Sequence, residues 1–310
     1  MTKHSTTNQF PQSDQGTCFG FRVRSAIPLR CLREGDGAPL DIPAPGEQAP
    51  AGPLESPIME WAEVPGQPAY ARLHQAGDQY WLWSNGLGWT MVEPTIPRIN
   101  LPPTTDPALH EELIWTVPAA LCLLYRRHLV LHAGAVEVGG RVILLAAAGR
   151  AGKSTLAAAF AQAGYRVLSE DVSCLRLDPQ PSVVPGPAML RLRPDVLTHL
   201  TLPGAQLLRK TATRLTLALD PDRRGTCDPL PVRSVVVLEA SANGFALDRI
   251  PPAEAIRRLW SLSFKTPVAN WVSTCFAQLA QLAAHVPILT FARPLRLQEL
   301  RATVDYLVNG

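Results

Sequence analysis

Between Thr17 and Val92, apolar and polar residues alternate in short runs, the period of strands with one buried face. Thr17–Arg24 predicts a first strand. Ile58–Glu63, Tyr70–His74, Gln79–Ser84 and Trp89–Val92 predict more, with Pro65-Gly66, Gly77-Asp78 and Asn85-Gly86 as the turns between them. Glu34–Pro57, rich in Pro, Gly and Ala, reads as a long loop, and Glu93–Pro107 as a Pro-rich connector. Trp61, Trp81, Trp83 and Trp89 fall in these strands. A sugar- or peptide-binding aromatic face is one use for such rings; packing in the core is the expected one.

Past residue 105 the rhythm lengthens. Ala108–Arg127 predicts a helix, with Glu111 and Glu112 early, Arg126 and Arg127 late, and a kink at Pro118. Leu129–Val138, a Gly139-Gly140 turn and Val142–Ala146 form a hairpin whose second strand is wholly apolar, as a buried central strand would be. A loop and a helix over Lys153–Ala163 follow, stopped by Gly164, then strands at Tyr165–Ser169 and Val172–Leu177. Strand, glycine loop, helix, strand is the frame of an α/β nucleotide-binding core. Further on, Val232–Ala240 and Ile288–Phe291 read as strands, and Ala253–Phe264, Val272–Ala284 and Leu297–Val308 as helices. The chain thus divides into a loose polar tail (1–16), a small β-rich domain (17–105) and an α/β domain (106–310).

Composition narrows the function. Hydrophobic residues make up 46% of the 310, enough for a core, and charged residues only 18%, which excludes a disordered acidic or basic protein. A net charge of +3 gives no case for nucleic acid. The six cysteines form no CxxC pair or zinc spacing and read as free thiols of a reducing compartment. No secretory signal or bilayer-length apolar run stands out, so a soluble cytoplasmic protein is expected.

The strongest chemical signal is AAAGRAGKST, Ala146 to Thr155, directly after the buried strand and before the helix. It carries the end of the phosphate-loop pattern GxxxxGK[ST], with Ala147 where the first glycine would stand. The backbone of Gly149, Arg150, Ala151, Gly152, Lys153, Ser154 and Thr155 would curl its amides toward phosphate oxygens, aided by the helix dipole. Lys153 would reach the β- and γ-phosphates of ATP, and the Ser154 hydroxyl would ligate Mg²⁺. Glu170-Asp171 end the next strand; one acid can hold the metal and the other take a proton from an attacking hydroxyl. His132, flanked by apolar residues, reads on its own as a core histidine. Arg191 and Arg193 read as a solvated basic face. Arg209, Lys210 and Arg214 read equally as that or as a segment closing over the γ-phosphate.

Together these pieces resemble the HPr serine kinase/phosphorylase family, related to phosphoenolpyruvate carboxykinase, over LVLHAGAVEVGGRVILLAAAGRAGKSTLAAAFAQAGYRVLSEDVSCLRL, residues 129–177. GFRVRSAIPL, VVPGPAMLRLRPD and PLPVRSVVVLEA extend the likeness more weakly. The resemblance implies a P-loop kinase core with a smaller, mostly β N-terminal domain. It implies His132 in the active site beside Lys153, Asp171 as the magnesium carboxylate, and Glu170 as the base, where the family has Asp. It also implies a serine acceptor on a peptide or protein. Members of this branch occur beside peptide-maturation genes and are associated with the C-terminal serine of a lasso-peptide precursor. No counterpart of the family's phosphate-removing segment stands out, so kinase rather than phosphorylase activity is expected. The family includes hexamers, so a homo-oligomer is an expectation too. The alternative is a nucleotide-binding regulatory or assembly module without phosphotransfer.

Overall fold

The computed structural model describes residues 16–46, 52–53, 55–62, 66–104, 106–149, 151–225, 227–266 and 269–309. Of the expected tail, residues 1–15 lie outside the described residues, and Gly16 already belongs to a strand.

Strands β1 (Gly16–Cys18), β2 (Phe21–Ser25), β3 (Ala38–Ile42), β4 (Met59–Trp61), β5 (Ala71–Ala76), β6 (Gln79–Ser84), β7 (Gly88–Glu93) and β8 (Arg98–Asn100) make one eight-stranded sheet, in the order β1-β2-β3-β8-β7-β6-β5-β4. The run expected as a single strand at 17–24 is a hairpin, turned by Phe19 and Gly20 at φ +53° and +71°. β3 falls inside the expected loop and β8 inside the expected connector; their proline-flanked runs are too short to show a period. The pleat decides which rings are buried. In β6, Tyr80 and Leu82 enter the core, while Trp81 and Trp83 alternate outward and stay half-buried, as do Trp89 and Trp61. The tryptophans expected in the core therefore lie largely outside it, with Trp81 edge-on to Trp89 and Arg72 over Trp83.

The helix expected over 108–127 is two, α1 (Pro107–Ile114) and α2 (Val117–Tyr125), broken at Trp115–Thr116. Pro118 does not kink a helix; it sits in the first turn of α2, where no N–H is needed. The sequence of α2, VPAALCLLY, is apolar all round because both sides are buried. One side meets the inner face of the first sheet, the other β9 (Leu129–Val138).

β9 organises the second sheet. β10 (Arg141–Ala146) runs antiparallel along one side of its later half. After α3 (Lys153–Gln162), β11 (Arg166–Ser169) and β12 (Val172–Arg176) pair end to end along its other side. β13 (Ser182–Val184) carries the sheet on from β12. A separate three-stranded sheet follows, with β14 (Met189–Leu192) and β15 (Gln206–Lys210) on either side of β16 (Leu215–Ala218). β17 (Leu230–Ala240) begins against β13 and continues parallel to β10, so β9, β12, β13, β17 and β10 close a circuit. β18 (Ala246–Arg249), α4 (Pro252–Leu262), α5 (Ala269–His285), β19 (Ile288–Arg293) and α6 (Leu300–Asn309) complete the chain, with β19 parallel to β17. α3 and α6 cover one face of this sheet and α4 and α5 the other, the layering of an α/β protein.

The two sheets are tied by Arg33, 2% exposed, whose guanidinium donates to the carbonyls of Gly186 (2.9 Å), Val167 (2.9 Å) and Leu168 (3.2 Å). Burial pushes its pKa down to about 10. The Leu168 carbonyl also accepts the Gly186 amide (2.8 Å), but removing the guanidinium takes a donor from the carbonyls of Gly186 and Val167, so Arg33→Met should cost about 2–4 kcal/mol in urea unfolding, and Arg33→Lys less.

Candidate functional site

β11 and β12 would be one strand but for Glu170 and Asp171. The ladder to β9 shifts between Val167 and Ser169 and resumes at Val172 opposite His132. Across β9 the facing residue is Gly134, where a Cβ would stand 3.2 Å from the Glu170 carbonyl oxygen; glycine lets the bulged chain approach. On the other side of β9, Ala133 pairs with Ala146, the last residue of β10. The segment leaving β10 and the two acids are thus held one strand apart.

That segment, Ala147–Gly152, leads straight into α3; Arg150 lies outside the described residues. Gly152 caps the helix at φ +80° with no side-chain cap, so α3 presents free amides at its first turn. A Cβ on Gly152 would come 2.6 Å from Arg293 Nη2, whereas Gly149 has nothing within 4 Å. Arg293, 2% exposed, reaches from the end of β19 to the carbonyls of Ala151 (3.3 Å) and Gly152 (3.4 Å). Burial lowers its pKa. A basic residue closing a short strand gives no sequence signal for this role.

Lys153 is 7% exposed although it opens the helix. Its Nζ lies 2.8 Å from His132 Nε2 and 3.3 Å from Asp171 Oδ1; His132 Nε2 is itself 2.9 Å from Asp171 Oδ1. One ring nitrogen either donates or accepts. Nε2 therefore bonds Asp171 as a donor or Lys153 as an acceptor, one at a time. Ser154 Oγ donates to Glu170 Oε1. Arg191 from β14 bridges the acids, Nε 3.0 Å from Glu170 Oε2 and Nη2 2.7 Å from Asp171 Oδ2. Arg191 is therefore no solvated basic residue: its Cα partner Thr216 is fully paired inside the three-stranded sheet, and its side chain is 12% exposed. Arg193, two residues on, is exposed and pairs with Asp195. Arg209 is spent on Asp106 (2.8 Å) and Glu112 (3.5 Å), away from the phosphate loop.

The charges compensate. Burial alone would raise the Asp171 carboxyl, but the His132 bond, Arg191 and Lys153 together hold it well below the usual carboxylate range. Burial would likewise lower Arg191, yet Glu170 and Asp171 raise it above its ordinary value. The structure thus gathers His132, Lys153, Ser154, Glu170 and Asp171, with Gly149, Ala151, Gly152 and Thr155 on the adjoining segment. Ser154 and the two acids offer hard oxygens of the kind magnesium takes. Among the described residues no three His, Cys, Asp or Glu converge on one point.

No family model matches the chain. No curated protein matches it either. Among solved structures, the HPr(Ser) kinase/phosphatase of Coxiella burnetii is similar at a TM-score of 0.31 and 12% identity, over 58% of this chain and 93% of that one. Such a likeness is too loose to fix an activity. What stands is a mixed α/β protein with a charged cluster beside a strand-to-helix turn. All six cysteines are free thiols, and no helix among the described residues is long and apolar enough to cross a membrane.

Gly152→Ala should cost about 1–3 kcal/mol in urea unfolding, from left-handed strain and the Arg293 collision, and Gly149→Ala under about 0.5. A second outcome follows from Asp171. Its folded pKa is depressed, so the stability it contributes is complete above about pH 4, the unfolded value, and is lost as pH falls toward the folded one. The urea midpoint of the wild type should therefore fall more steeply than that of Asp171→Asn as pH drops below 4.

Proposed function

We propose that this protein is an ATP-dependent serine kinase of HPr-kinase-like type. The observation that carries the reading is the convergence of the Lys153 ammonium, the first residue of a helix with a glycine cap, on Asp171 and His132. A P-loop lysine and its metal-side carboxylate need that proximity. The amides from Gly149 to Thr155, Arg150 included, would cradle the β- and γ-phosphates, with the dipole of α3 behind them. Ser154 and Asp171 would hold Mg²⁺, which when bound neutralises phosphate charge. A carboxylate kept ionised suits a cation and makes a weak base. That leaves Glu170 to take the proton from the acceptor hydroxyl. Phosphate would draw Lys153 off His132, freeing its Nε2 to donate to Asp171 and so fix the ring. The acceptor we propose is a serine on a peptide or protein, and the C-terminal serine of a lasso-peptide precursor is the one the resemblance implies. The domain division at residue 105, a cytoplasmic location and a homo-oligomeric state belong to the same proposal.

One observation favours the second reading, a nucleotide-binding regulatory or assembly module. All four carboxylate oxygens of Glu170 and Asp171 are already engaged by Ser154, Arg191, His132 and Lys153. The kinase reading requires Arg191 or Ser154 to release an acid when substrates enter.

With Mg-ATP and a serine peptide, the wild type should release ADP and label the peptide. Lys153→Ala should lose roughly 100-fold or more of that rate. Glu170→Gln should bind Mg-AMP-PNP about as tightly as the wild type by calorimetry, yet transfer roughly 100-fold more slowly. Wild-type turnover no higher than that of Lys153→Ala would defeat the kinase reading, and full activity in Glu170→Gln the base assignment.

A further inference from the structure

A cavity of about 260 Å³ lies between the end of α2 and one face of α5, apart from the phosphate loop. His128 lines it and precedes His132 by four residues, about 13 Å along an extended strand. Leu124 and Cys275, both buried, supply apolar lining. Tyr125 and Trp271 supply aromatic lining, their ring centroids 4.9 Å apart and their planes tilted by 52°. Gln278 of α5 ties the two helices together, donating through Nε2 to the carbonyl of Arg127 (2.7 Å). An apolar cavity of ~150 Å³ is enough to take a benzene ring. The larger volume here has room for such a ring and a short polar tail.

Charge decides what the tail is. Among the described residues no Asp or Glu lines the cavity, and Arg127 is the one cation that does. His128 stays neutral near pH 7, because burial, Arg176 and Arg126 bring its pKa down to about 4. Arg127 is exposed, and its guanidinium has no ion-pair partner among the described residues. Its backbone is the second observation. At the end of α2 the amides of Arg127 and His128 donate back to the carbonyls of Leu124 (2.8 Å) and Leu123 (3.1 Å). That helix stop puts its first residue past the end in a left-handed conformation, which glycine adopts freely. Arg127 stands there instead, at φ +59°, and bears the strain. The stop itself has no need of a guanidinium, and no acid of the protein engages this one.

We propose that this cavity binds a small molecule in which one aromatic ring is joined to a carboxylate, with the ring beside Tyr125 and Trp271 and the carboxylate on Arg127. A free acid and the carboxyl end of a short peptide both present this chemistry. The site goes beyond the kinase reading and does not rest on it.

The test titrates phenylacetate into the full chain by calorimetry, with phenylacetamide as its uncharged match and N-acetyl-alanyl-phenylalanine as a peptide end. Phenylacetate should bind saturably, with a Kd on the order of 0.1–1 mM. Phenylacetamide should bind roughly tenfold more weakly, for want of the charge-assisted hydrogen bond. In the ¹⁵N-labelled chain, the indole signal that Trp271→Phe removes should move with phenylacetate, while those of Trp81, Trp83 and Trp89, assigned the same way, stay still. Arg127→Gly should weaken phenylacetate roughly tenfold yet leave the urea midpoint equal or higher, because glycine relieves the strain. Thr274→Trp, which fills the cavity, should abolish binding. A peptide acid that binds more tightly than phenylacetate assigns the cavity to a chain end, and one that binds more weakly assigns it to a free acid. The proposal is overturned if phenylacetate does not bind, binds no better than phenylacetamide, or binds Arg127→Gly and Thr274→Trp as it binds the wild type. A lower urea midpoint in Arg127→Gly makes the arginine a structural residue and overturns it too.

Discussion

Glu170 can be buried, and Asp171 part-buried beside it, only because Lys153 and the largely covered Arg191 are held against them. A lone carboxylate there would pick up a proton, and a lone ammonium would lose one. Each charge is held by the others, so four groups from α3, from the break between β11 and β12 and from β14 must arrive together. Removing one partner leaves an uncompensated charge, which costs far more than an exposed pair is worth. The small three-stranded sheet is thus part of the site's architecture, because it delivers Arg191.

The rest of the fold serves that meeting. The bulge at Glu170-Asp171 depends on Gly134 in the strand beside it, and the turn after Ala146 is fixed from beneath by Arg293. Both supports come from neighbouring strands, so the cluster is built on rigid elements rather than on loops. The first sheet is not an appendage. Its core runs without interruption through α2 to Val130, Cys174, Val184 and Met189, and Arg33 fastens it to the carbonyls behind β11.

Local signals carried the central elements. The hairpin of β9 and β10, the helix beginning at Lys153 and the strand ending before Glu170 could all be read locally, from apolar runs and from the glycine turn and helix stop that bound them. The meeting of His132, Lys153 and Asp171 could be expected from the motif and the family likeness. Arg191 and Arg293 could not. Each is a charged residue in or at the end of a strand, and its partners are distant in sequence, so nothing nearby marks it as buried. The tryptophans misled for a different reason. Size argues for the core, but the pleat puts Trp81 and Trp83 on the face opposite Tyr80 and Leu82. The expected continuous helix failed at Trp115–Thr116: Pro118, expected as a kink, instead marks the first turn of a second helix.

The circuit of β9, β12, β13, β17 and β10 also bears on how the molecule behaves in a crowded solution. An open sheet exposes a row of unpaired amides and carbonyls along its rim, onto which a stray strand can graft. A ring has no such rim. Grafting is left to the outer strands elsewhere, and two of these, β1 and β4, are only three residues long, too brief to template a fibril.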